Sequence, residues 1–292
     1  MRKNSILFLF IALAVIFVIF LTNSLPAEGV PLERQFDLTG PENADTLAVL
    51  PGSGAGRDKQ PLPAGEHLPL MVRWSNWRPE FGPALVYARE RDLDGMLRMA
   101  GPVDKMLMVT SYAEASRLMA RAAELQTAGV TTVGLNSENG LTPGDEMRTL
   151  DNPDPATNLV SRVGKLATQN GFDFIWGPVR RQADTISDEA VRTMMAAGMR
   201  GIALQEQKFI ETQPAQTRLA EVNRTRARYL RLAEEMNVDD FAFHVQIMHE
   251  RCPNLDNCVT FVQMLEDIPV DSIAIWSNGP IPASFVESIR GN

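Results

Sequence analysis

The chain is poor in the side chains that most often build reactive centres: two cysteines, three histidines and three tyrosines among 292 residues. A structural zinc ion needs four ligands, so thiols and imidazoles this scarce leave little to build one from. Positive charge is not in surplus either, with 28 Lys and Arg against 36 Asp and Glu for a net charge of −8. The basic residues are scattered, whereas a nucleic-acid partner demands a cluster that neutralises phosphate. Three catalytic signatures are missing: a Gly-x-Ser-x-Gly elbow, a Gly-x-x-x-x-Gly-Lys phosphate loop and a His-Glu-x-x-His pair. No cofactor and no metal are expected. What the chain does have is ordinary globular material, 45% apolar and 22% charged, enough for a sizeable core.

The apolar residues concentrate first at the N-terminus. Arg2 and Lys3 precede an unbroken apolar run from Ile6 to Leu21. A charged start followed by such a run is an export signal whose positive end stays in the cytoplasm. Ser24-Leu25-Pro26-Ala27 is a poor cleavage site, which favours a retained anchor over a removed peptide. Residues 1–22 are therefore read as signal anchor or signal peptide. Residues 23–67, rich in Pro and Gly, are read as a tether, and residues 68–292 as the folded body outside the cytoplasm. In that compartment Cys252 and Cys258, with five residues between them, are expected to form a disulfide. Free thiols, or a metal site with His244, His249 and Glu250, are the alternatives.

From residue 68 onward, short apolar runs alternate with longer segments of helical period. The runs predict strands over 68–74, 105–111, 131–137, 172–177, 200–206, 240–247 and 272–277. Helices are predicted over 85–99, 113–128, 155–170, 187–198, 213–236, 256–266 and 282–290. Gly129 and Gly198 stand where helix C-caps belong. Such alternation implies right-handed crossovers and a parallel sheet. The first strand is followed by Ser75-Asn76-Trp77-Arg78-Pro79 and not by a Gly-rich dinucleotide loop, which argues against an open doubly wound sheet. The expected fold is a TIM-type (βα)8 barrel, or an incomplete seven-stranded parallel barrel. An eighth strand is sought near 45–50 or 84–88.

Strand parity then separates two faces. Val133 and Leu135 oppose Gly134, Asn136 and Glu138. Ile202 and Leu204 oppose Ala203, Gln205 and Gln207. Phe243, Val245 and Ile247 oppose Ala242, His244 and Gln246, and Ile273 and Ile275 oppose Ala274, Trp276 and Asn278. Bulky residues suit the layer under the outer helices, and the small-then-polar series suits a barrel mouth. Any one of these polar residues could be a satisfied structural group. Together, left unpaired in a core, they would cost about 1–3 kcal/mol each, so a ligand or water is expected to meet them. An indole beside amides, His and Glu is the composition that recognises a sugar. Arg73 and Arg180 are candidates to add charge there for an acidic sugar or another carboxylate.

The run Gly134-Leu135-Asn136-Ser137-Glu138, followed by Thr142-Pro143 and Asp145-Glu146, resembles exported barrel domains of glycoside-hydrolase type whose activity is largely unassigned. Gly177-Pro178 and Gln205-x-Gln207 are similar too. The resemblance spans roughly residues 105–290 and implies that Glu138 belongs to the site. Glycoside hydrolysis calls for two carboxyl groups, and the resemblance supplies no partner for Glu138. Asp145, Glu146 and Glu250 lie in loops, and Glu206 has the outward parity. The leading expectation is an extracytoplasmic carbohydrate-active barrel with Glu138 as the catalytic residue. Asn136, Arg180, Gln205, Gln207, His244, Gln246, Trp276 and Asn278 are its expected ligand-binding residues. The alternatives are a non-catalytic module that holds a glycan or envelope component through the same mouth, and an envelope scaffold whose mouth is filled by its own side chains.

Overall fold

The computed structural model describes residues 67–82, 84–100, 103–207, 213–252 and 255–290. The apolar run, the tether and the candidate strand near 45–50 lie outside the described residues. Among the described residues no helix is long and apolar enough to cross a membrane.

Eight strands form a closed barrel in chain order. They are β1 (Leu70–Arg73), β2 (Ala84–Arg89), β3 (Asp104–Val109), β4 (Val130–Ser137), β5 (Asp173–Pro178), β6 (Met199–Gln205), β7 (Ala242–Met248) and β8 (Ser272–Trp276). Every neighbouring pair is parallel, and β8 closes on β1 with Ile273 beside Leu70 and Ile275 beside Val72. The helices are α1 (Leu93–Leu97), α2 (Tyr112–Met119), α3 (Ala122–Thr127), α4 (Gly144–Met147), α5 (Leu159–Gln169), α6 (Arg180–Thr185), α7 (Asp188–Ala196), α8 (Ala215–Glu235), α9 (Leu255–Glu266) and α10 (Ala283–Ile289). The fold is the TIM-type barrel, with all eight strands present.

The eighth strand is β2, at the second of the two places where it was sought. The helix expected over 85–99 is corrected accordingly. Residues 84–89 are strand, a 3₁₀ turn covers Glu90–Asp92, and only Leu93–Leu97 is helical. The error has a physical source. Leu85, Ala88, Leu93 and Met96 fit helical spacing, yet Val86 and Ala88 alternate with Leu85 and Tyr87 at strand period. Val86 and Ala88 pack outward in the main core, while Leu85 and Tyr87 pack inside the barrel. The helix expected over 113–128 is two pieces, α2 and α3, separated by a tight turn in which the Arg121 N–H donates to the Leu118 carbonyl. Gly129 and Gly198 do end their helices in the left-handed region, at φ +82° and +108°.

Parity holds around the barrel. Val133, Leu135, Ile202, Leu204, Phe243, Val245, Ile273 and Ile275 are all buried in the layer between strands and helices. Inside, Met71, Met106, Met108, Ile175, Ala203 and Ala274 form a second apolar cluster with Tyr87. The mixture of flexible thioethers and small residues fills the narrow lumen, so the lower barrel is a packed plug and not a pore. Burial of this kind stabilises by about 25 cal/mol per Å² of apolar surface.

Candidate functional site at the barrel mouth

Above the plug a polar relay crosses the C-terminal rim. Gln207 Nε2 donates to Gln205 Oε1 (3.4 Å). Gln205 Nε2 donates in turn to Asn136 Oδ1 (2.6 Å) and to the Gly177 carbonyl (2.7 Å). Asn136 Nδ2 ends the chain on Glu138 Oε1 (2.9 Å). A Cβ at Gly177 would stand 3.3 Å from the Leu135 carbonyl, a tight contact, while Gln205 Nε2 at 3.8 Å would be in ordinary contact with it. Asn136 and Gln205 are buried, whereas Glu138 and Gln207 are half-buried and open toward the mouth. Glu138 is thus held by one oxygen at the end of a relay of donors, from β6 across β5 to β4.

Opposite the relay, Trp276 stacks on Tyr87 with ring centroids 5.8 Å apart and planes 9° from parallel. Tyr87 is buried and Trp276 half-buried. Burial drives the Tyr87 hydroxyl to hold its proton well above the ordinary tyrosine range. Arg73 opposes that shift, and Glu250 and Glu138 reinforce it. One cation and two carboxylates therefore lie close enough to act on the same phenol. Tyr87, Arg73 and Glu250 join the mouth alongside the residues expected from parity.

Glu250 lies in the 3₁₀ turn His249–Arg251 after β7. Its Oε1 accepts from Ser277 Oγ (2.8 Å), the Asn278 N–H (2.6 Å) and the Gly279 N–H (3.3 Å). Burial acts to raise its pKa, but these hydrogen bonds outweigh it and hold the carboxyl below the usual range. The carboxylate thereby pins the loop after β8, just beyond Trp276. Asn278 contributes its backbone to this arrangement, and its side chain is exposed.

The other expected site residues fall differently. Gln246 points inward and is 6% exposed, and its amide nitrogen has no hydrogen-bond partner among the described residues. His244 sits two residues deeper on the same face, with Nδ1 2.8 Å from Ser272 Oγ. Arg180 does not stand with them. At the start of α6 it is buried, with Nη1 3.2 Å from Glu206 Oε2 and 2.5 Å from Glu221 Oε2. That places its charge in the packed layer between β6 and α8, correcting the expectation that it faces a ligand. The reason is that Glu206, fully buried on the outward face of its strand, demands a cation. Even so, burial pushes the Glu206 carboxyl up to about 7. Arg218 on α8 lies in the same layer over the Phe261 ring, and burial lowers its pKa to about 10.

Cys252 and Cys258 stand at disulfide distance, Cα atoms 5.7 Å apart, and tie the Glu250 turn to α9. Among the described residues no three His, Cys, Asp or Glu side chains are grouped to hold a metal ion. A separate cleft of about 410 Å³ opens between α4 and α6, lined by Asn139, Met147, Arg148, Gln182 and Ile186 among others. None of the mouth residues lines it.

No known family profile matches this chain, and no curated protein does. Among solved structures it is similar to coproporphyrinogen III oxidase from Escherichia coli, described as a radical SAM enzyme. That likeness is 11% identical, with TM-score 0.31, over 77% of this chain and 47% of the other. It is also similar to dihydropteroate synthase from Anaplasma phagocytophilum with bound 6-hydroxymethylpterin-monophosphate. Here identity is 10% and TM-score 0.27, over 64% of this chain and 96% of the other. The chain spans about half the length of the oxidase. Neither is a glycoside hydrolase, and likenesses this distant do not bear on the site.

Proposed function

We propose that the barrel mouth binds a carbohydrate and that Glu138 is the catalytic group of a glycosidase-like reaction. The observation that carries the reading is the pairing of an aromatic platform, Trp276 on Tyr87, with the amide relay that ends on Glu138. Sugar rings offer apolar C–H faces to an indole and hydroxyls to amides and carboxylates. Glu250 is the candidate second carboxylate, since it follows the C-terminal end of β7 as Glu138 follows that of β4, on the same rim. Held ionised by its hydrogen bonds, it suits the charged member of a carboxylate pair, with Glu138 left to move the proton. The chain is taken to work outside the cytoplasm, held by its N-terminal apolar run.

A second reading, glycan binding without turnover, draws support from the same Glu250. One of its oxygens is already committed to three donors that fix a loop. The test is a glycan array followed by turnover assays on the best binders, with full-length protein and Glu138→Gln. A glycosidase loses turnover by at least a hundredfold and still binds. A binding module shows no turnover in either protein. Absence of any glycan binding refutes both readings.

A further inference from the structure

Resting on the mouth as a sugar site, we infer that its ligand carries an anionic group, a carboxylate or a phosphate on a hydroxylated ring, and that Arg89 receives it. Arg89 ends β2 on the same inward face as Leu85 and Tyr87, in register with the interior residue Met108. It stands two residues beyond Tyr87, roughly 7 Å along the strand, and so at the edge of the aromatic platform. Arg89 is half-buried, and its guanidinium has no hydrogen bond or ion pair among the described residues.

Neighbouring arginines behave otherwise. Arg73, inward at the end of β1, lies 2.5 Å from Asp92, and Arg117 and Arg121 pair with Glu90 and Glu124. Arg89 alone of these brings an unpaired charge to the C-terminal rim of the barrel.

Gln246 supplies the second observation. Its buried amide nitrogen, on the inward face of β7, also lacks an acceptor among the described residues. Two unmet donors on the inward face near the C-terminal ends of β2 and β7 call for a ligand rich in acceptors. Glu138 forms no ion pair with Arg89, and its Oε1 accepts from Asn136 Nδ2. A ligand can therefore span the rim, with hydroxyls toward Glu138 and the relay and its anion on Arg89. The planar fork of a guanidinium suits both oxyanions.

The experiment applies the full-length protein, Arg89→Gln, Arg89→Lys and Trp276→Ala to an array of neutral, uronate-containing and phosphorylated glycans. The expected result is at least tenfold preference of the wild type for one acidic class over neutral glycans of the same linkage. Arg89→Gln should bring that class down to the neutral level, and Arg89→Lys should recover part of the difference. Preference for uronates identifies a carboxylate ligand, and preference for phosphorylated glycans identifies a phosphate. Equal binding of acidic and neutral glycans, or a preference that survives Arg89→Gln, overturns the inference. If neutral binding is then still lost in Trp276→Ala, the sugar-site reading survives that failure. No binding to any class overturns both.

Discussion

Lys105 offers a direct check on what holds the bottom of the barrel together. It lies on the outward face of β3 and is 6% exposed, and among the described residues it has no carboxylate partner. Its Nζ donates to the carbonyls of Ala128 (2.8 Å) and Met99 (2.9 Å), with a longer contact to Leu97 (3.5 Å). These carbonyls end α1 and α3, where backbone acceptors lack helical partners and a cation interacts favourably with both dipoles. Burial lowers the Lys105 pKa, which reduces the net gain. Lys105→Met keeps the aliphatic bulk and removes the donor. A hydrogen bond to a charged group is worth about 1.5–3 kcal/mol, and an unmet buried acceptor costs about 1–3 kcal/mol. With two good bonds lost and water able to reach the half-buried Met99, the expected loss is about 3 kcal/mol. For a body of this size that is a fall in Tm of roughly 6–12 °C. Urea unfolding of the two proteins measures it. A loss below about 0.5 kcal/mol, with an unchanged denaturant slope, would refute the claim that this lysine ties two helix ends to the barrel.

Gly201→Ala should destabilise by about 1–3 kcal/mol, because its Cβ would meet the Ala242 carbonyl at 2.8 Å, and backbone cannot step aside. Gly134→Ala should cost less, since the nearest atom is the mobile sulfur of Met106 at 2.9 Å; comparing their unfolding midpoints tests the ranking. Glu206 binds its proton up to about pH 7 when folded, against an ordinary value of 4.5. Its contribution to stability should therefore fall as pH rises from about 4.5 to about 7 and level off above. Glu206→Gln should remove that slope, and a wild-type-to-variant difference equal at pH 5 and pH 8 would contradict the assignment.

The fold was legible because seven strands carried short apolar runs and their parity separated bulky from small residues without ambiguity. β2 was not, because Leu85, Ala88, Leu93 and Met96 satisfy a helical period as well as Leu85, Tyr87 and Arg89 satisfy a strand period. That ambiguity hid Tyr87 and Arg89, which would have followed from parity had the segment been read as extended. Alternation put Asn136, Gln205, Gln207 and Glu138 on one face, but that they hydrogen-bond one another in a relay was not legible from it. Arg180 and Glu250 were beyond its reach. Parity speaks only of strands, and the direction of a helix-borne or turn-borne side chain is decided by its tertiary partners, here Glu206 with Glu221, and the loop after β8.

The central claim is that a glycan stacks on Trp276 at the barrel mouth. Calorimetric titration of the tightest array binder into full-length wild type and Trp276→Ala tests it most directly. Loss of the indole platform should weaken binding by about 1–3 kcal/mol, roughly 5- to 150-fold. Affinity for that glycan unchanged within twofold in Trp276→Ala would contradict the account.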